Sequence, residues 1–441
     1  MAFERLVQDL FGYCRSHDID DLYFNVKPFW NVFTELHKMS DLEPYWDDEM
    51  VLSAVRNVLK SYNGNFPSKV NSSICQSLID SIKQYLSINC DDHVLVLPIE
   101  NALLSQRIQF GDFMFIPNDM DRNVKVEMIG DFVGLLFEET NWFAEHTEKS
   151  RSPHFFMHAL LCMKIRHQTN VIHFTSENRM RLCVYILRAL YYAYVKGSSD
   201  DRKYPWVRKF MSRSDMEEYR NSHLAIYAKE NWRRGHNPIR FSSECKFSLD
   251  WLSIPSFQKK YLELCDTIIL SKVHDEFSHR FINSLRFLNK AIELQYHSDP
   301  LEQSGLRLLF LMIAAECILL PGGENEKRLR LSALLPRISE IEGYSISELS
   351  RIVDQVYRWR NDYVHSGNDI FIDRHDEHDR NFEHLTLKMV AKVIADYPRY
   401  LRFVENQYQS GVDKTRINIW KDYLHEVFDR VIFGIHVADV Q

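Results

Sequence analysis

Several familiar chemistries are missing from this sequence. Its 441 residues hold no Gly-x-Gly-x-x-Gly turn, no Walker lysine and no His-Glu-x-x-His, which removes the common phosphate-cradling loops and the zincin arrangement. The eight cysteines, at 14, 75, 90, 162, 183, 245, 265 and 317, never form Cys-x-x-Cys. That spacing fits neither a zinc knuckle nor a disulfide framework, and the expectation is a reducing, cytoplasmic setting. Positive charge is not in excess either: 54 Lys and Arg against 61 Asp and Glu leave a net charge of -7. That balance argues against a protein that coats nucleic acid non-specifically and leaves room for a local basic patch. Long apolar runs are absent as well. The most apolar stretch, Leu306–Leu320, contains Arg307 and Glu316 and is too short to span a bilayer. The first residues, Met1-Ala-Phe-Glu-Arg-Leu, lack the basic-then-apolar profile of a signal peptide. No membrane segment, repeat or low-complexity tract is expected.

What remains is an ordinary globular composition, 45% hydrophobic and 26% charged, with length for two or three domains. Residues 1–90 read as helices: Phe3, Leu6, Val7, Leu10 and Phe11 share a face, as do Val51, Val55, Val58 and Leu59, and Ser73 to Leu86 adds another. Residues 91–254 change period. His93–Pro98 and Phe113–Pro117 are short buried-strand runs, and Asn123–Met128 alternates strictly, so a third strand is expected there after a turn at 118–121. Thr175–Val195 is expected as a helix, and Lys246–Leu252 as a strand-like piece. His154 and His158 stand at i, i+4, a ligand spacing, but no Glu follows either, and packed histidines are the plainer reading.

The densest basic-aromatic stretch includes Arg202, Lys203, Tyr204, Trp206, Arg208, Lys209, Phe210 and Arg213, echoed by Trp232, Arg233 and Arg234. Cations beside rings suit single-stranded RNA, with phosphates paired and bases stacked. The competing reading is a solvated helix with its aromatics turned inward.

Residues 255–441 read as a helical bundle, with helices near 256–272, 276–297, 301–320, 326–340, 345–366, 379–405 and 415–433. Short links between long helices make antiparallel neighbours. The helix from Ser345, which has Glu348 at capping-box spacing, carries an apolar stripe of Ile346, Leu349, Ile352, Val353, Val356, Tyr363 and Val364. Arg360 falls inside that stripe, and a guanidinium there is costly unless it is partnered. Asn361 and His365 stack at i, i+4 beside it, which puts Arg360 in a groove and the other two on its lip. Gly367 stands where a left-handed cap belongs. Arg360 paired with a buried acid, Glu316 being one candidate, is the structural alternative. Asp369–Asp379, with His375 and His378, mixes carboxylates and imidazoles, yet a charged loop is the plainer reading than a metal site.

Arg360-Asn-Asp-Tyr-Val-His365 resembles the Arg-(four to six residues)-His signature of HEPN domains. Ala315-Glu316 within 308–320, the run Lys327–Leu335 and the run Phe281–Asn289 are similar, in order, to helices of the Apea-like HEPN family. The resemblance covers roughly residues 255–405, and departs from the family in having Ser366 between His365 and Gly367. It implies an all-α domain that forms a homodimer, and in many members a metal-independent endoribonuclease of anti-phage or toxin-type defence. Such an enzyme needs an imidazole for proton transfer and a cation for the phosphate, because the 2′-hydroxyl of RNA is itself the nucleophile. His365 is then the proton-transfer group, Arg360 the phosphate fork, Asn361 the orienting group and Glu316 their support. Arg202, Lys203, Trp206, Arg208, Lys209 and Arg233 are the candidate substrate contacts. The partners implied are RNA, tRNA among the candidates, a second copy of the chain, and a phage-derived trigger or antitoxin. No cofactor or metal is expected. The fold expected is α+β and predominantly α: helices with a small mixed sheet, then a HEPN-type bundle. The reading from another class is a non-catalytic module that dimerises and binds a ligand or partner. A metal-dependent hydrolase using His375 and His378 is the third.

Overall fold

The computed structural model describes residues 2–22, 26–36, 39, 48–88, 90–99, 102–149, 155–168, 172–195, 223–228, 231–238, 247–269, 275–294, 300–323, 325–366, 377–410 and 414–433. They are predominantly helical with a smaller β component, an α+β arrangement. In chain order come α1 (Ala2–Cys14), α2 (Lys27–Leu36), α3 (Asp48–Ser61) and α4 (Ser72–Ile88), then β1 (Cys90–Ile99), β2 (Ala102–Leu103), β3 (Ile108–Phe110) and β4 (Phe113–Ile116). Next are α5 (Arg122–Val133), α6 (Phe137–Lys149), β5 (Ala159–Gln168), α7 (Ile172–Leu190), β6 (His223–Ala228), β7 (Asn231–Pro238) and β8 (Phe247–Ser248). The remainder is α8 (Pro255–Ile268), α9 (Glu276–Leu294), α10 (Pro300–Leu319), α11 (Lys327–Ser339), α12 (Ile346–Ser366), α13 (Glu377–Ala395), α14 (Tyr397–Gln409) and α15 (Arg416–Phe433).

The chain divides into two compact units, and the division falls within β1, β5, α7 and β7. The first unit takes residues 1–97, 162–179 and 223–237. Its helices α1 to α4 bury the faces that the helical spacing marks, with Val7, Leu10, Phe11, Phe33, Val55, Leu59, Leu78 and Ile82 in one core. Here β1 pairs antiparallel with β6, with Val94 opposite Tyr227 and Val96 opposite Ala225.

The second unit takes residues 98–161, 180–222 and 238–441. In it β3 and β4 form an antiparallel ladder, with Ile108 opposite Phe115, and β2 runs parallel to β8. Phe110, Phe113 and Phe115 surround the buried ring of Tyr261 on α8 edge-on, with centroids 5.1 to 5.9 Å away.

Two strand expectations change. Asn123–Met128 is not a strand but lies in α5. Asp121 caps it, accepting the Asn123 N–H at 2.8 Å, and Val126, Ile129 and Phe132 are buried at three-residue steps while Val124 is exposed. The alternation of Val124, Val126 and Met128 is also compatible with a helix, and the cap decides between the two. The turn at 118–121 therefore joins a strand to a helix. Lys246–Leu252 contributes only the two-residue β8 before a 3₁₀ turn at Asp250–Ser253.

The helical expectations after Pro255 hold, with one division: the single helix read over 379–405 breaks at Asp396 into α13 and α14. Pro398, in the first turn of α14, has no N–H to continue the earlier ladder. Helix α10 packs along α9, and α12 packs against α10, α11 and α13. Hydrogen bonds tie this bundle at depth. Ser284 Oγ donates to the Ala314 carbonyl at 2.7 Å, and the Trp420 indole donates to the Ile318 carbonyl at 2.8 Å. Among the described residues, no helix is long and apolar enough to cross a membrane.

Candidate functional site

Helix α12 starts at the expected capping box. The Glu348 carboxylate accepts the Ser345 N–H at 2.8 Å, and the Ser345 hydroxyl accepts the Glu348 N–H at 3.3 Å. From that fixed start Leu349, Ile352, Val353, Val356 and Tyr357 turn into the bundle. The two ends depart from the expected stripe: Ile346 at the start and Val364 near the end are exposed, 39% and 43%, and Tyr363 is half-buried against Gly305 of α10. Burial there turns towards Tyr357, whose phenol feels the charge of Glu316 on α10.

The rotation places Arg360 in a shallow recess, with its side chain 15% exposed. Three groups surround the guanidinium. Glu316 of α10 puts Oε1 3.7 Å from Nη2, close enough for charge attraction but too long for a hydrogen bond. Asn361 Oδ1 accepts from Nη1 at 3.0 Å, and the Tyr357 ring lies beneath with its centroid 5.4 Å away. Glu316 also accepts from Lys327 Nζ at 3.1 Å, so one carboxylate serves two cations. Its Oε1 and the Arg360 Nε are both buried and make no hydrogen bond. Burial pushes the Tyr357 phenol up, and the negative charge of Glu316 adds to that.

Asn361 is half-buried and His365 is exposed in the last turn. By helix geometry His365 lies about 7.5 Å further along the axis than Arg360 and about 140° round. The structure therefore brings Arg360, Asn361 and Glu316 into contact, with His365 standing beyond them on the rim. Chemically this is a cation held by a half-buried acid, an amide that fixes its plane, and an accessible imidazole one to two turns away.

Of the other sequence candidates, Arg202, Lys203, Trp206, Arg208 and Lys209 lie outside the described residues, and so do Gly367 and His375. Arg233 stands on β7 and His378 in α13, and both side chains are outside the described set. His154 is outside as well, while His158 is buried and its carbonyl accepts from Lys125 Nζ at 2.9 Å. Among the described residues no cluster of three or more His, Cys, Asp or Glu could hold a metal ion.

Tyr357, Lys327, Arg328, Asp354 and Arg358 were not singled out in the sequence. For Arg358 the signal was available, since it lies seven residues before His365 and so on the same helical side. Lys327 and Arg328 come from a different helix, and only the packing of α11 on α12 brings them near. Comparison with protein-family models, curated proteins and solved structures returns no match.

Proposed function

We propose that this protein is a metal-independent endoribonuclease of the HEPN type, with Arg360, Asn361 and His365 as its site. The observation that carries the reading is Arg360: a guanidinium recessed in a helical bundle, oriented by Glu316 and Asn361, with an exposed imidazole further along the same helix. In the proposed reaction the 2′-hydroxyl of RNA loses its proton to a base and attacks the adjacent phosphorus. The bond to the 5′-oxygen breaks and that oxygen takes a proton from an acid. The products are a 2′,3′-cyclic phosphate and a 5′-hydroxyl. His365 transfers protons, a role worth roughly 10²–10⁴ in rate. Arg360 spreads its donors over the phosphate oxygens as negative charge builds. Glu316 and Asn361 hold the fork in one plane. A homodimer would bring two such sites together, and the exposed Val364 beside His365 is an apolar group available to that contact. Defence against phage, with a trigger or antitoxin governing activity, completes the proposal.

The test is incubation of the purified protein with total RNA and tRNA, with and without EDTA, beside Arg360→Ala and His365→Ala. Cutting that survives EDTA, leaves cyclic phosphate ends and falls at least about a hundredfold in both variants is the expected outcome. Equal cutting by wild type and His365→Ala would remove the assignment. Should purified protein leave RNA intact, growth arrest during infection is compared for wild type and His365→Ala, and identical behaviour ends the catalytic reading.

One observation favours the second reading, a non-catalytic module that dimerises and binds a ligand. Arg360 already has a carboxylate, an amide and a ring around it, which is how a structural arginine is satisfied. Under that reading Arg360→Ala lowers stability and His365→Ala changes nothing.

A further inference from the structure

A second line of polar groups runs along α12 beside the recess. Asp354, Arg358, Asn361 and His365 follow at i, i+4, i+7 and i+11, which keeps them on one side of the helix over about 16 Å. Arg328, in the first turn of α11, joins this line through Asp354. Its Nε lies 3.0 Å from Oδ1, and Arg358 Nη2 lies 2.8 Å from Oδ2. The carboxylate is the deeper partner, 28% exposed, whereas Arg328 and Arg358 are 50% and 54% exposed. One negative charge thus orients two guanidinium forks that face water, and one positive charge is left over.

Exposed ion pairs of this sort add little stability. Their physical effect is to hold two forks in a fixed pose before a ligand arrives. Lys327, adjacent to Arg328, carries the positive line across to Glu316 and Arg360. The first turn of α11 contains no acid, although the helix dipole there disfavours Lys327 and Arg328. The acids beside this line, Glu326 and Asp362, are exposed and bridge none of its cations.

We propose that Arg328 and Arg358, held by Asp354, clamp the backbone phosphates of single-stranded RNA on one side of the bond that is cut. The proposal rests on the nuclease reading and adds where the strand lies. A guanidinium fork matches two phosphate oxygens, which a lysine cannot do. Arg358 precedes His365 by about 10 Å along the axis, the length of about three stacked nucleotides of one strand. The clamp therefore grips phosphates a few nucleotides from the scissile one, and the strand runs along α12 toward His365.

The experiment measures binding apart from cleavage. The probe is a fluorescein-labelled oligoribonucleotide of about 12 nucleotides with every ribose 2′-O-methylated, which cannot be cut. Its affinity for the full chain is followed by anisotropy between low and moderate salt. Arg328→Ala/Arg358→Ala is expected to bind about tenfold more weakly, with a salt slope shallower by about 1.4, two contacts at about 0.7 each. Lys259→Ala/Arg402→Ala, which removes two exposed cations elsewhere, matches wild type. Arg328→Lys/Arg358→Lys, which keeps the charges and guards against misfolding, retains the slope and loses part of the affinity. If the alanine pair binds like wild type, or loses no more than the control pair, the clamp is overturned while RNA cleavage by wild type still supports the nuclease. A wild type that neither binds the probe nor cuts RNA removes both.

Discussion

Arg360 shows how one side chain can be read from a sequence and yet be completed only by packing. Its place within an apolar stripe signalled a partner, and Glu316 was a candidate because an acid inside the apolar 306–320 run has the same difficulty. The partner on the other side of that acid, Lys327, gave no such signal, since an exposed lysine has no need of one. Gly305 is similar. A Cβ built on it would clash with the edge of the Tyr363 ring, so the absence of a side chain on α10 is what lets the end of α12 approach. Gly305→Ala is expected to cost roughly 1–3 kcal/mol through overpacking, read as a lower melting temperature. Under the proposed nuclease reading RNA cutting falls with it, because Tyr363 lies between Arg360 and His365 on α12.

Helices were legible where caps and period agreed. The box joining Ser345 and Glu348 was visible as a spacing, and the structure closes it with three hydrogen bonds. Those bonds hold the Glu348 carboxyl below its ordinary value, the Ser345 hydroxyl being the largest cause and the Ser345 N–H the next. The folded pKa is therefore lower than the unfolded one. The stabilisation is fully present above the ordinary value of 4.5 and is lost as pH falls through the lowered folded value. Glu348→Gln should melt below wild type at neutral pH, with the gap closing on acidification, and a gap that stays constant would reject the linkage. At Asn123–Met128 the period misled, because three alternating apolar residues over six positions satisfy both strand and helix. Asp121 was the better guide there, as an oxygen that can take an N–H two residues on.

Across the bundle, distant helices are joined by charges that no local pattern reveals. Arg307 of α10 and Glu383 of α13 form an ion pair, and their side chains are 4% and 8% exposed. Removing either side chain takes the opposite charge away from a buried ionic group, which costs about 3–5 kcal/mol. Glu383→Ala should lower the urea midpoint by a corresponding amount. Arg307→Leu/Glu383→Leu should recover much of the loss, since an apolar pair carries no buried charge. Failure of that recovery would show that the pair is held by further contacts. The two compact units draw on separated stretches of chain, the first combining residues 1–97 with 162–179 and 223–237. Reading the chain in consecutive blocks could not anticipate this, because strand pairing such as β1 with β6 joins residues more than a hundred positions apart.

The sequence by itself determined the helical character, most helix boundaries after Pro255 and the start of α12. Each is set by neighbours within one or two turns, where capping hydrogen bonds and the 3.6-residue period act. Only the tertiary structure decided that Glu316 bridges Lys327 and Arg360, that Asp354 holds Arg328 beside Arg358, and that burial on α12 turns to Tyr357 and leaves Val364 in water. These depend on which helices lie side by side, and that choice is made by summed burial over many weak apolar contacts rather than by any local motif.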